Sequence, residues 1–216
     1  MASLSHLRDP SEPPASGAVV RRLPLPDNDA ALVEGVRAKT PGATKALFDR
    51  HGPHVRRVLV RVLGVDPEIP DLLHDVFVVA LDSIDRLEQT TSVRAWLTAI
   101  AVHSARALIR KRARRRLIAL LLPHVAPRSV PATSAEFSES VRATYRVLEQ
   151  LSADERIPFS LRFIDGMELT EVATACGVSL ATAKRRLARA QERFLSIARD
   201  EPALHDWIEA SRWRTR

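Results

Sequence analysis

The chain has 216 residues, 45% of them apolar and 27% charged, enough to bury a sizeable core in one large or two small domains. Its 33 Lys plus Arg outweigh 26 Asp plus Glu for a net charge of +7, which favours an anionic partner, and the dominance of arginine favours nucleic acid over a membrane surface. A single cysteine, Cys176, excludes an internal disulfide and a cysteine-cluster metal site, the scattered histidines show no HExxH-like spacing, and no window approaches the roughly 18–20 apolar residues of a membrane span.

Residues 1–26 are rich in Pro and Ser without periodicity and read as a disordered N-terminal tail. They lack the charged start and long apolar run of a signal peptide, so a cytoplasmic location is expected. From Asp27 the pattern turns helical. Asp27 and Asn28 are candidate N-caps for a helix carrying Leu32, Val33 and Val36. A second helix carries Leu47, Phe48, Val55, Leu59 and Val62 before Gly64 stops it.

The third helix begins near "PDLLHDVFVVALDSIDRL". It places Asp71, Asp75, Asp82 and Asp85 within an arc of about 80°, with Val78 in their midst. Leu72, Leu73, Val76, Phe77, Val79, Ala80 and Ile84 cover most of the remaining surface. An acidic stripe around an apolar residue would repel DNA and suits a protein interface; the plainer alternative is a solvated face. No nucleophile or metal ligand accompanies these carboxylates, so catalysis is not expected. The fourth helix, "TSVRAWLTAIAVHSARALIRKRARRR", has the opposite character. Trp96, Leu97, Ile100 and Leu108 form its apolar stripe. Arg110, Lys111, Arg112, Arg114, Arg115 and Arg116 then make six of seven positions basic. So dense a run repels itself unless an anion is near, which points to phosphate contact rather than a merely solvated helix end.

Residues 118–139 carry three prolines and a Ser/Thr cluster, the composition of a linker, although "LIALLL" is apolar enough to extend the fourth helix or pack on a partner. A second helical block spans 140–199, followed by a C-terminal tail, 200–216, holding two tryptophans. Within that block lies "LTEVATACGVSLATAKRRLARA". Thr170 is the expected cap of its first helix, Gly177 supplies a left-handed turn, and Ser179 caps the second helix. At 100° per residue Ala183, Leu187, Ala190 and Phe194 share one stripe, which must be buried. Thr182, Arg185 and Arg189 fall on an exposed flank, with Arg186 and Arg193 beside the core edge. This is a helix-turn-helix whose second helix offers guanidinium forks to guanine edges or phosphates. A helical hairpin with a solvated basic surface is the competing reading.

Together the two blocks resemble RNA polymerase sigma factors of the compact extracytoplasmic-function (ECF) group. The resemblance is carried by "DLLHDVFVVAL", "RAWLTAIAVHSARALIRKRARRR" and "LSADERIPFSLRFIDGMELTEVATACGVSLATAKRRLARAQERF". It implies an all-α chain of two small domains, sigma domain two over 27–117 and sigma domain four over 140–199, joined by a flexible linker over 118–139. It implies a polymerase-binding face at Asp71, His74, Asp75, Val78 and Asp82. It implies promoter contacts near the start site from Arg110, Lys111, Arg112, Arg114 and Arg115. Contacts further upstream would come from Ser179, Thr182, Lys184, Arg185, Arg186 and Arg189. The partners implied are core RNA polymerase, promoter DNA and an anti-sigma factor, with no cofactor, no metal and no catalysis. Departures from the family pattern occur at His74, Thr98, His103, Ala107 and Pro158, and they bear on start-site-proximal specificity and on promoter melting. A stand-alone helix-turn-helix regulator and a sigma-like decoy that binds polymerase without opening promoters are the alternative functions.

Overall fold

The computed structural model describes residues 28–87, 92–121 and 138–205. Among the described residues there are eight α-helices and no strands. The expectations placed on the N-terminal tail, and on most of the linker and of the C-terminal tail, lie outside these residues.

Helix α1 (Asp29–Arg37) starts where Asn28 Oδ1 accepts the Ala31 N–H at 2.7 Å. Helix α2 (Ala43–Leu63) ends at Gly64, whose φ of +80° only glycine adopts without strain. Helix α3 (Ile69–Ser83) runs into a single 3₁₀ turn at Ile84–Arg86, and α4 (Val93–Leu121) follows. The apolar periodicity of each buries its stripe: Leu32, Leu47, Leu59, Val76 and Leu97 are wholly inaccessible in one cluster. Arg37 ties α1 to the end of α3, donating to the carbonyls of Ile84 (3.0 Å) and Leu87 (2.5 Å). With 29 residues α4 is about 43 Å long. It runs past the boundary expected at 117, so the first residues assigned to the linker are helical.

The second unit comprises α5 (Glu139–Leu148), α6 (Ala153–Phe159), α7 (Leu169–Cys176) and α8 (Leu180–Ala198). Phe159 stacks on Phe194 with ring centroids 4.5 Å apart and meets Phe163 at 4.9 Å, anchoring α8 on α6. Pro158 does not end the helix leading to the turn. The chain widens after it into a π turn, Ser160–Ile164, where the Asp165 N–H reaches the Ser160 carbonyl at 2.9 Å. The start of the expected C-terminal tail is also fixed: Leu204 is buried against the second unit, and Glu201 pairs with Arg146 at 2.9 Å.

The two units are in contact. Ile157, Leu161, Val172, Ala175 and Cys176 share one buried cluster with Ala105, Leu108 and Ile109 of α4. Polar ties reinforce the seam at the C-terminus of α2. The buried Arg156 guanidinium donates to the carbonyls of Val62 (2.8 Å) and Leu63 (3.1 Å), a cation at the negative end of a helix. Tyr145 donates to the Val60 carbonyl at 3.1 Å, and its ring covers Gly64 so closely that a Cβ there would sit 3.0 Å from it.

Candidate nucleic-acid interface

Helix α7 is not capped by Thr170. Glu168 holds the N-cap position and exchanges backbone and carboxylate hydrogen bonds with Glu171, whose side chain accepts the Glu168 N–H at 2.8 Å. The reciprocal pair satisfies two otherwise orphaned N–H groups at once, which one threonine hydroxyl cannot do. Thr170 lies inside the first turn, its carbonyl accepting from the Thr174 hydroxyl. At the other end Gly177 has φ +65° and ψ +39°; its N–H reaches the Thr174 carbonyl and the Val178 N–H the Ala173 carbonyl, both at 3.0 Å. These crossed bonds form a Schellman cap, which needs a left-handed residue at that point. Ser179 Oγ then accepts the Thr182 N–H at 3.2 Å and starts α8.

On α8 the buried side chains are Ala183, Ala190, Phe194 and Ala198, with Leu187 half-buried. Lys184, Arg185 and Arg189 are exposed and take part in none of the ion pairs found among the described residues. Ser179 is exposed and Thr182 half-buried at the helix start. Arg186, at the core edge, is different: its guanidinium lies 3.1 Å from Asp154. Arg193 approaches Glu155 at 3.8 Å. The aspartate is a shared partner, because Arg110 reaches it at 3.1 Å and Arg106 at 3.7 Å, both from α4.

The basic run on α4 is not uniform. Arg110, Lys111, Arg114, Arg115 and Arg116 are exposed. The Arg112 side chain is only 18% exposed. It forks onto both carboxylate oxygens of buried Asp66 and onto Glu68 at 2.8 Å. Grouping Arg112 with the phosphate-contacting side chains therefore needs correction: its fork is already filled by two carboxylates. Arg116 meets Glu149 at 3.4 Å.

Three of the departures from the family pattern lie on α4. His103 and Ala107 are exposed on α4. Thr98 is buried, so it offers no stacking surface. His54 Nε2 lies 2.8 Å from Thr98 Oγ1, and Thr98 donates its own proton to the Arg94 carbonyl at 2.8 Å, so His54 is the donor to Thr98. Its Nδ1 is left buried without a hydrogen-bond partner. Burial first, then the charges of Arg94, Arg57 and His51, lowers the His54 pKa from 6.5 to about 4. The folded state thus keeps a neutral imidazole while the unfolded chain takes up a proton. Stability is unaffected above the unfolded value and falls as the pH drops from about 6.5 to about 4, by on the order of 2 kcal/mol. His54→Gln removes this dependence, so denaturant midpoints at about pH 7 and about pH 5 should differ less in the variant than in the wild type.

The face of α3 is acidic and open. Asp71, His74, Asp75, Val78 and Asp82 are all exposed, Val78 at 42%. None of the three aspartates forms an ion pair among the described residues, although the chain has arginine in excess. Val79 is 47% exposed and widens the apolar part of this face. Asp82 sits in the last turn of α3, where a carboxylate opposes the helix dipole. Stability alone would not put it there. Among the described residues no group of three or more His, Cys, Asp or Glu is placed to hold a metal ion, and no described helix is long and apolar enough to cross a membrane.

Two family models match the chain: Sigma-70 region 2 over residues 47–115 and Sigma-70 region 4 over residues 142–193. The first takes in the acidic and basic helices, and the second the helix-turn-helix. Similar proteins include the ECF RNA polymerase sigma-E factor of Haemophilus influenzae, 25% identical over 76% of this chain and 92% of that protein. The ECF RNA polymerase sigma factor SigX of Bacillus subtilis is 27% identical over 72% and 84%. The RNA polymerase sigma factor CarQ of Myxococcus xanthus is 28% identical over 76% and 94%. Two solved structures share the fold. CnrH, in complex with the cytosolic domain of CnrY, has a TM-score of 0.57 at 23% identity over 80% of this chain and 98% of that one. The sigma factor RpoE of Bartonella quintana, in complex with the anti-sigma factor NepR, has a TM-score of 0.56 at 24% identity over 74% and 99%.

The chain belongs to the sigma-70 family, in its extracytoplasmic-function group: a factor that binds core RNA polymerase and takes it to promoters. A stand-alone regulator is not favoured, since it would account for the helix-turn-helix and not for region 2.

Sequence reasoning did not single out Tyr145, Glu149, Asp154 or Arg156. The pattern Ser152–Glu155 is a capping-box signature and marks the start of α6. Nothing local marks Asp154 as the partner of three arginines.

Proposed function

We propose that this factor docks on polymerase through the α3 face formed by Asp71, His74, Asp75, Val78 and Asp82. In this reading it meets promoter phosphates near the start site with Arg110, Lys111, Arg114 and Arg115. It reads the element further upstream from Ser179, Thr182, Lys184, Arg185 and Arg189. It works in the cytoplasm without catalysis of its own, under an anti-sigma partner of the kind named for the RpoE neighbour. The observation that supports this reading is the separation of charge: among the described residues Asp71, Asp75 and Asp82 of α3 are exposed and form no ion pair, and the same holds for Lys111, Arg114 and Arg115 of α4 and for Lys184, Arg185 and Arg189 of α8.

The test is reconstitution. Purified protein, core polymerase and genomic fragments together should yield transcripts starting at a discrete set of promoters. Stable polymerase binding without transcripts would instead identify a decoy. At the level of single side chains, Arg185→Ala or Arg189→Ala should weaken holoenzyme binding to its promoters by about 1–3 kcal/mol and relax preference at one base position. Unchanged affinity and unchanged preference in both variants would remove them from the reading surface.

A further inference from the structure

A cavity of about 210 Å³ lies between the C-terminal half of α4 and the turn from α5 into α6. Arg110, Arg112 and Arg116 line it from α4, and Glu149, Asp154 and Arg156 from the second unit. Arg156 is only 5% exposed, and its guanidinium has no carboxylate partner among the described residues. Its Nε and Nη2 donate to the carbonyls of Val62 and Leu63, both neutral groups, which leaves Nη1 without a partner among those residues. Burial lowers its pKa to about 10, with Glu149 the strongest charge acting the other way, so the group stays a cation at neutral pH. A buried charge is ordinarily matched by an opposite one, because its desolvation is otherwise uncompensated.

The carboxylates at hand are already divided. Asp154 is shared by Arg106, Arg110 and Arg186, and Glu149 sits 3.4 Å from Arg116. Asp66 and Glu68 neutralise Arg112 from outside the cavity. The guanidinium groups of Arg110, Arg116 and Arg156 thus converge on a volume whose carboxylates do not balance them. The side chains of Arg110 and Arg116 are 59% and 55% exposed, with room to turn inward. Forked guanidinium donors match phosphate oxygens, and a lone carboxylate ligand brings too few acceptors for three of them. We propose that this cavity binds the diphosphate group of a small molecule, with Arg156 at its floor and Arg110 and Arg116 at its rim. The volume equals roughly seven waters' share of the liquid, which suits a diphosphate and leaves any attached nucleoside outside. A duplex backbone is too stiff to follow the group inward to so buried a guanidinium.

Calorimetric titration of the full-length chain with sodium pyrophosphate and with ADP, at fixed ionic strength, tests this. Pyrophosphate should bind saturably and one-to-one. Arg156→Gln should weaken it about tenfold or more, the loss expected for a charge-assisted hydrogen bond. Arg115→Gln removes the same charge from the exposed run of α4 and should weaken it less than about twofold, since solvent and salt screen that side chain. Both probes carry the same group, and they separate its sources. Tighter binding of ADP supports the site as one for a nucleotide, and equal or weaker binding supports it as one for the free anion. Absence of saturable binding by either probe, or equal losses in Arg156→Gln and Arg115→Gln, overturns the proposal. Should Arg156→Gln lose its cooperative unfolding transition, Arg110→Gln/Arg116→Gln against Arg114→Gln/Arg115→Gln carries the same comparison. No titration involves polymerase or promoter DNA, so loss of promoter-directed transcripts in the reconstitution would sink the proposed function and leave this result standing, and the reverse.

Discussion

Arg112→Ala should lower the stability of the chain by about 3 kcal/mol, the largest single-residue effect expected in the basic run. The Asp66 side chain is 4% exposed. Burial alone would raise its pKa, but the Arg112 hydrogen bonds and the Glu68 N–H at 2.9 Å hold it below the usual aspartate value. Truncating Arg112 leaves that carboxylate buried with one backbone donor. The deficit follows the ionisation of Asp66: full above the unfolded aspartate value of about 4, it narrows as the pH falls through the depressed folded value, where the wild type loses the same contribution. Arg112→Lys should recover little, because an ammonium cannot fork onto Asp66 and still reach Glu68. Arg114→Ala and Arg115→Ala should each change stability by less than about 0.5 kcal/mol. Urea denaturation of the four variants separates the one structural arginine from its exposed neighbours. Equal midpoints for all four would refute the distinction.

Asp75→Lys combined with Asp82→Lys should weaken assembly with core polymerase at least tenfold, or by at least about 1.4 kcal/mol. The fold should survive, because both side chains are exposed and neither takes part in an ion pair among the described residues. Asp82 makes the test sharper. Lysine in the last turn of α3 complements the helix dipole that the native aspartate opposes, so stability should hold or rise by a few tenths of a kcal/mol while binding collapses. A native midpoint with undiminished polymerase binding would move the interface off α3.

The elements with local causes were legible in the sequence. Asn28 and Ser179 cap where short polar side chains before apolar periodicity predict, and Gly64 and Gly177 end helices at positive φ. The register of α8 followed from period alone, with Ala183, Ala190 and Phe194 inward and Arg185 and Arg189 outward. What was not legible depends on partners distant in the chain. Arg112 looks like Arg114 until Asp66, 46 residues away, takes its guanidinium. Thr98 looks like an exposed substitution until His54 bonds it from α2. The cap of α7 was missed for a different reason: glutamate is an uncommon N-cap, and only its reciprocity with Glu171 lets it displace Thr170. The seam between the units had no periodic signal, since Tyr145, Asp154 and Arg156 read one by one as ordinary members of their own helices.

Tyr145 is the sole tyrosine in the chain, and it lies on that seam. Burial raises the pKa of its phenol, with Arg61 and Arg156 pulling weakly the other way. Wherever its ring leaves Gly64 for water, the hydroxyl regains the acidity of a free phenol, and its ultraviolet absorption in mild alkali registers the change. The molecule therefore carries an intrinsic dye where its two units meet, readable without labels.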